Sequence, residues 1–313
     1  MNNILHLKYA VEIEKTGSIT KAAENLYMGQ PNLSRAIREL EESLGITIFM
    51  RSSRGVVPTE QGREFLNYAR NILAQVEEME NLYGKTGANR QRFAISVPRA
   101  SYVAFAFTEF LKELDFNRDV SVNYRETNSM HAIKNVAESV NNMAIVRYQT
   151  DYEAYYLKYL RDRGLDFTPL WEFDYLALMS REHPMASRED ITADDLEPYT
   201  EIIHGDVSVP ALPMAEAREL AAINESKKCI TIYERGSQFE LLCRLPSSFM
   251  WVSPMPEEVL QRFGLVQKQC RVEGIRFRDV LIFRQEYSLN RKEKLFLEKL
   301  QETIEAVRVE PRA

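Results

Sequence analysis

The chain of 313 residues has little cysteine or histidine: three of the first and four of the second. Cys229, Cys243 and Cys270 are odd in number and form no C-x-x-C pair, which excludes a disulfide framework and a zinc knuckle. His6, His131, His183 and His204 are scattered, with no H-E-x-x-H or comparable ligand spacing, so neither a metal nor a cofactor is expected. No apolar run approaches a membrane span, and the opening "MNNILHLKYAVEIEKTG" lacks a signal peptide's continuous apolar core; a cytoplasmic protein with no membrane partner is expected. His204, Cys229 and Cys243 come without a nucleophile elbow or a phosphate loop, so an enzyme is not expected and no residue is assigned as catalytic. Base is scarcer than acid, 40 residues against 46, for a net charge of −6. Spread evenly, that charge would oppose a polyanionic partner, but it is an average over domains whose local fields differ.

What is present is an ordinary mixture, 45% hydrophobic and 27% charged, long enough for two or three domains that each bury a core. A first helix is expected from residue 5 to 15, with Leu7, Ala10 and Val11 inward and Gly17 as its stop. Residues 18–45, "SITKAAENLYMGQPNLSRAIRELEESLG", then read as two short amphipathic helices. Ser18 is placed as the N-cap of the first, which turns Ile19, Ala22, Ala23 and Leu26 inward. The second begins near Pro31, a residue suited to a first helical position. Its apolar stripe is Leu33, Ile37, Leu40 and Leu44, leaving Pro31, Arg35, Arg38 and Glu42 on the opposite side. "ITIFMRSSRGVVPT" reads as a hairpin with Arg51 on its shoulder and Arg54 at its tip. Three helices and a basic hairpin make a winged helix-turn-helix.

A long helix follows. Phe65, Ala69, Ile72, Val76, Met79 and Tyr83 are spaced 4, 3, 4, 3, 4, a heptad-like seam suited to a second copy of itself; the alternative is packing on its own domain. "YGKTGANRQR" breaks the helix. Beyond Phe93, "FAISV", "VSVNYRE" and "MAIV" alternate with helical runs in the manner of parallel βαβ units. "FDYLALMS", "EIIHG", "CITIYE" and "FMWVSP", separated by helix-like stretches such as "AEARELAAI", suggest a second lobe, and "VLIFRQ" with a final helix closes the chain. Crossings between the lobes are expected near Arg147 and after Val266.

The stretch "GSITKAAENLYMGQPNLSRAIRELEESLGITIF", the wing "RSSRGVVPTEQG" and the helix after it resemble, in order and spacing, the DNA-binding end of the LysR-type transcriptional regulators. About seventy residues with several fixed points carry a far more specific signal than a lone short signature. The remainder is similar, more loosely, to that family's effector-binding portion, notably in "PLWEFDYLALMSREHPMA" and "ITADDLEPYTEI". Two departures stand out: Gly29 replaces the serine that usually caps the recognition helix, and "CRLPSSFMWVSP" replaces a glycine-rich segment before the late strand. The resemblance implies an α+β multidomain protein. It would comprise a winged helix-turn-helix over residues 1–58, a linker and dimerisation helix over 59–87, and an effector-binding domain over 88–313 built like a periplasmic binding protein. Lobe I is placed at about 93–168 and 267–313, and lobe II at about 169–266. The resemblance also implies a homodimer or homotetramer on an interrupted inverted repeat of double-stranded DNA in a promoter.

Read as chemistry, Gln30, Asn32, Ser34 and Arg35, beside Pro31, bring amide, hydroxyl and guanidinium groups to one helix start, suited to base edges or phosphates. Arg38 suits a phosphate, and Arg51 and Arg54 the backbone or a narrow minor groove. Residues 18–58 carry five basic groups (Lys21, Arg35, Arg38, Arg51, Arg54) against four acidic (Glu24, Glu39, Glu41, Glu42), a net of +1; useful affinity therefore requires two heads on one duplex, paired through Phe65, Ala69, Ile72, Val76 and Met79. Between the lobes the strand ends place Arg99, Ser101, Thr127, Asn128, Ser129 and Arg147, with His204, Arg235 and Ser237 from the second lobe. Ser101 and Ser129 sit where helix N-caps belong and serve either as caps or as ligand contacts. With Arg99, Arg147 and Arg235 they favour an anion, unless those arginines are ion-paired scaffold. The expected function is a sequence-specific DNA-binding regulator modulated by a small anionic metabolite held between the lobes. The alternatives are a redox-responsive regulator sensing through Cys229 and Cys243, or an enzyme using the crevice.

Overall fold

The computed structural model describes residues 4–52, 55–83, 90–205, 228–233, 235–271, 276–285 and 287–308. Arg54 and the helix-like "AEARELAAI" lie outside the described residues. The chain divides into two compact units, Met1–Arg90 and Gln91–Ala313, and no described helix is long and apolar enough to cross a membrane.

In the first unit, helix α1 (Ile4–Thr16), α2 (Ile19–Asn25) and α3 (Gln30–Leu44) precede a hairpin of β1 (Phe49–Ser52) and β2 (Gly55–Pro58). Helix α4 (Glu60–Tyr83) closes the unit. Ser18 caps α2, accepting from Lys21 N, and the left-handed Gly45 ends α3. The core joins Ala10, Ile13, Ala22, Ala23, Leu33, Ile37, Leu40, Ile48 and Leu66. Ile13, fully buried, is the deeper inward residue of α1, while Val11 only packs against its edge. Leu44 departs from the expected stripe and is 42% exposed, because α3 turns away at Gly45 and Ile46 packs against the core beyond it. Gly62 is obligatory: a Cβ there would overlap the Ile48 carbonyl oxygen, so any side chain would push α4 off the strand start.

The second unit is a two-lobed α/β domain. Lobe I carries β3 (Arg90–Val97), α5 (Ser101–Lys112), β4 (Asp119–Glu126), α6 (Ser129–Ala137), β5 (Met143–Gln149), α7 (Glu153–Arg161) and β6 (Leu165–Asp174). β13 (Arg276–Arg284) and the last described helix, α11 (Arg291–Val307), return to it. Its sheet runs β4-β3-β5-β13-β6. β3 and β5 are parallel, as βαβ units require, but β13 lies antiparallel to both β5 and β6. One face is covered by α5 and α11 around Phe93, Phe110, Phe296 and Leu300. The other, covered by α6 and α7, is built on Ile133, Val136, Tyr156 and Leu160.

Lobe II has β7 (Leu176–Ser180), β8 (Ile191–Thr192), α8 (Ala193–Leu196), β9 (Thr200–His204) and β10 (Cys229–Ile232). α9 (Gln238–Arg244), β11 (Ser248–Val252), α10 (Glu257–Phe263) and β12 (Leu265–Arg271) follow. Its six described strands are ordered β10-β9-β11-β7-β12-β8. Two expectations are corrected here. Arg147 lies within β5, deep in lobe I, and the first crossing falls at Tyr175, between β6 and β7, rather than near Arg147 or about residue 169. The reason is that residues 165–174 remain paired to β13 along their whole length, with a bulge at Asp279/Val280. The return crossing lies between β12 and β13.

Phe296 is fully buried, with ring centroids 5.3 Å from Phe93 and 5.9 Å from Phe110. Phe296→Ala is expected to lower the stability of the second unit by about 3–5 kcal/mol, read from urea unfolding, because a rigid cluster of aromatics between sheet and helices cannot collapse into the void.

Candidate functional site

On α3, Gln30, Pro31, Asn32, Arg35 and Arg38 are exposed and Ser34 is half-buried, while Leu33, Ile37 and Leu40 anchor the opposite side. The helix geometry therefore collects amides, a hydroxyl and two guanidinium groups on one outward face. Gly29 is the N-cap and offers no side-chain bond. Arg35 Nε donates to Glu39 Oε1 at 3.0 Å, with 81% of the Arg35 side chain exposed; a pair so wet adds little stability and exchanges readily for a phosphate. Arg51 stands in β1, paired to Val56 of the hairpin.

One functional contact is not visible in the sequence pattern. Glu41, which by spacing groups with Glu39 and Glu42 as acid at the far end of the helix, turns inward: its Oε1 accepts from Ile48 N at 2.6 Å and from Phe49 N at 3.1 Å. It thus ties the start of the hairpin to α3. Sequence spacing alone does not separate a glutamate that caps a strand from one that faces water.

The seam on α4 divides. Ala69 is 1% exposed within its own unit, and Phe65 packs on that unit's core. The bare apolar stripe consists of Tyr68, Ile72 and Met79, 60%, 43% and 55% exposed, with Val76 half-buried beside them. An α-helix of 3.6 residues per turn drifts against a 3.5 repeat, so one seam faces the helix's own domain at its start and open space further on. α1 covers the first part, where Arg70 pairs with Glu14.

In the second unit several of the strand-end residues are committed to protein partners. Ser129 does not cap α6; Asn128 does, accepting from His131 N at 2.9 Å. Ser129 Oγ instead donates to the Arg147 carbonyl at 2.6 Å and accepts from Arg147 N at 3.2 Å, stapling α6 to β5. Nor does Ser101 cap α5, whose N-cap is Ala100. Thr127 donates its backbone N–H to the Val97 carbonyl at 2.9 Å. His204 ends β9, and Ser237 precedes α9 without a capping bond.

Arg147 is bidentate with Asp279, Nε to Oδ1 at 2.8 Å and Nη2 to Oδ2 at 2.7 Å, and the two side chains are 9% and 0% exposed. Its guanidinium lies 4.7 Å from the Phe173 ring centroid and 5.8 Å from that of Tyr175. Burial is the strongest single influence and opposes its charge, but the charge and hydrogen bonds of Asp279 together with Tyr175 and Tyr102 outweigh it and hold Arg147 above its ordinary value. Tyr102 also donates to Asp279 and accepts from Trp171 Nε1 at 3.0 Å; burial, then Asp279, hold its hydroxyl protonated. The Arg147 of the expected anion site is thus a buried scaffold charge already neutralised. Arg99 Nη2 reaches the Tyr233 carbonyl across the lobes at 3.2 Å. Arg235 pairs with Glu126 and donates to Ser101 Oγ at 2.7 Å.

Cys229 is exposed, and Cys243 and Cys270 are half-buried. Burial pushes the thiol of Cys243 up and that of Cys270 to about 11, which keeps both protonated at neutral pH. Among the described residues no His, Cys, Asp and Glu cluster could hold a metal ion.

Residues 4–63 match a family described as "Bacterial regulatory helix-turn-helix protein, lysR family". The chain is 28% identical over 201 residues to the uncharacterized HTH-type transcriptional regulator YnfL of Escherichia coli, covering 62% of this chain and 63% of that one, just under two thirds of its length. It is 24% identical to the HTH-type transcriptional regulator AlsR of Bacillus subtilis over 83% of this chain and 82% of AlsR. Among solved structures, a full-length OxyR from Pseudomonas aeruginosa carrying a cysteine-to-aspartate substitution superposes with a TM-score of 0.59 at 13% identity, covering 100% of this chain and 99% of that one. ArgP from Mycobacterium tuberculosis gives 0.59 at 18% identity, covering 95% and 96%. At such identities the likeness shows the fold.

Asp279→Asn would leave the Arg147 charge buried opposite a neutral amide. It is expected to cost about 3–5 kcal/mol of stability in a urea titration, against less than about 1 kcal/mol for removing the exposed Arg35–Glu39 pair.

Proposed function

The chain belongs to the LysR-type transcriptional regulators, and from that premise we propose that it is a cytoplasmic regulator whose paired heads grip an interrupted inverted repeat in a promoter. A small metabolite carrying a carboxylate or similar anion, bound where the lobes of the second unit meet, sets that occupancy. The observation that carries the DNA reading is the outward face of α3, with Gln30, Asn32, Arg35 and Arg38 exposed on a helix anchored by Leu33, Ile37 and Leu40. Such a face inserts into a major groove, its amide and guanidinium groups reading base edges or gripping phosphates. Ser34 and Pro31 shape its start, and Arg51 and Arg54 of the wing add backbone or minor-groove contact. Because the head carries a net charge of only +1 over residues 18–58, two heads joined in one assembly are needed for salt-resistant affinity. Ile72, Val76 and Met79 supply the joint, as a homodimer or, through further contacts, a homotetramer.

The effector lies against Ser101, Thr127, Asn128 and Ser129 in lobe I and His204, Arg235 and Ser237 in lobe II. It acts only by preferring one lobe arrangement over another. With Arg147 neutralised by Asp279, the other arginines expected at the site are those that join the lobes, Arg235 paired with Glu126 and Arg99 reaching the Tyr233 carbonyl.

Two measurements test this reading. In a gel-shift series on the chain's own upstream region, Arg35→Ala is expected to weaken specific binding by about 1–3 kcal/mol and to relax sequence preference, whereas Arg38→Ala weakens all sequences evenly and lowers the salt slope by about one. Unchanged affinity for both would remove DNA contact from α3. In sedimentation, Ile72→Glu is expected to dissociate the assembly, because pairing would bury an uncompensated charge; a variant that stays associated moves the interface to the second unit.

A further inference from the structure

Arg235 lies in the short 3-10 turn Arg235–Ser237 of lobe II, yet both terminal nitrogens of its guanidinium reach lobe I. Nη1 pairs with Glu126 at the end of β4, and Nη2 donates to Ser101 Oγ at 2.7 Å in the first turn of α5. The Arg235 and Glu126 side chains are only 17% and 19% exposed, and the Phe239 ring lies 5.9 Å from the guanidinium carbon. This pair sits in the row of strand ends from which the effector site is built. Glu126 immediately precedes Thr127 and Asn128, while Ser101 and Arg235 are themselves site residues.

We propose that the Glu126 carboxylate is an internal occupant of the effector site. It takes on Arg235 the place of an effector's carboxylate, and a carboxylate effector binds by exchanging with it. The inference rests on the reading of the lobe junction as the effector site and names the chemistry there. A carboxylate meets a guanidinium best through two parallel N–H···O bonds; here Glu126 takes Nη1 and the Ser101 hydroxyl takes Nη2, so a carboxylate that engages this end of the guanidinium with both bonds displaces Glu126. Exchange is feasible because the Coulombic gain of a half-buried pair is largely offset by its desolvation, and a ligand carboxylate recovers the same gain. It is also a switch. The carboxylate binds only the arrangement in which Glu126 has left Arg235, so ligand binding and release of this lobe-to-lobe contact are one event. The resting affinity for the effector is reduced by the fraction of molecules in which Glu126 holds the place.

The test uses the full chain and sodium acetate as the probe, read by the thermal unfolding midpoint against sodium chloride at matched ionic strength. Glu126→Gln is expected to lower the half-saturating acetate concentration about tenfold relative to the unaltered chain. Arg235→Gln is expected to abolish the acetate-specific shift, and Arg235→Lys to restore it in part. In a urea double-mutant cycle, Glu126→Gln and Arg235→Gln are expected to be non-additive. Equal acetate dependence in Glu126→Gln and the unaltered chain, or an additive cycle, overturns the internal occupant while leaving the effector site standing. No acetate-specific shift in any of the variants or the unaltered chain overturns the anionic effector reading with it. Since no readout involves DNA, failure of the DNA-contact reading leaves the result unaffected.

Discussion

The interaction on which the second unit depends is the buried pair of Arg147 and Asp279. β5 and β13 are neighbours in the lobe I sheet, and the two residues lie opposite one another in its register. An isolated charge at either position would be prohibitive in so dry a place. Together they are satisfied, with Tyr102 completing the acceptors of Asp279 and the rings of Phe173 and Tyr175 flanking the guanidinium. Tyr175 is the residue at which the chain leaves lobe I for lobe II. The same guanidinium that joins two strands thus braces the crossing with a packed, neutralised charge.

That arrangement redistributes the roles of the arginines. Arg147 is structural because Asp279 matches it bidentately in a water-excluded site. Arg99 and Arg235 reach across the lobe boundary to a carbonyl, a carboxylate and a hydroxyl, contacts weak enough individually to be remade. The charge at the crossing is therefore fixed by a buried partner, whereas the contacts across the lobe boundary are made by single bonds of less buried side chains.

The first unit divides its labour differently. Apolar residues at i, i+3, i+4 spacing fasten three short helices, Gly62 lets α4 start against the wing's first strand, and Glu41 holds that strand's amides. The outward residues of α3 are left with few commitments beyond the solvated Arg35–Glu39 pair. Rigidity behind the face and availability on it come from one helix whose two sides obey different constraints.

The elements of the winged head were legible in the sequence because they are set by local rules: Ser18 as a cap, Gly17 as a stop, a period near 3.6 for each core stripe. The alternation of strands and helices after Phe93 was legible for the same reason. What could not be read is whatever depends on partners distant in sequence. Asp279 stands 132 positions from Arg147, and no local pattern distinguishes an arginine so matched from one awaiting a ligand. Ser129 and Asn128 compete for one cap, and only the approach of β5 draws Ser129 away. Leu44, Ala69 and Glu41 each occupy a position that helical spacing leaves ambiguous, and each was decided by which neighbouring element arrives. Sequence by itself determined the elements, the family of folds and the outward face of α3, since these follow from spacing and backbone stereochemistry. Tertiary structure alone decided which charges were spent on the scaffold and which remained for function, because neutralising a buried charge requires a partner that only folding brings within hydrogen-bond reach.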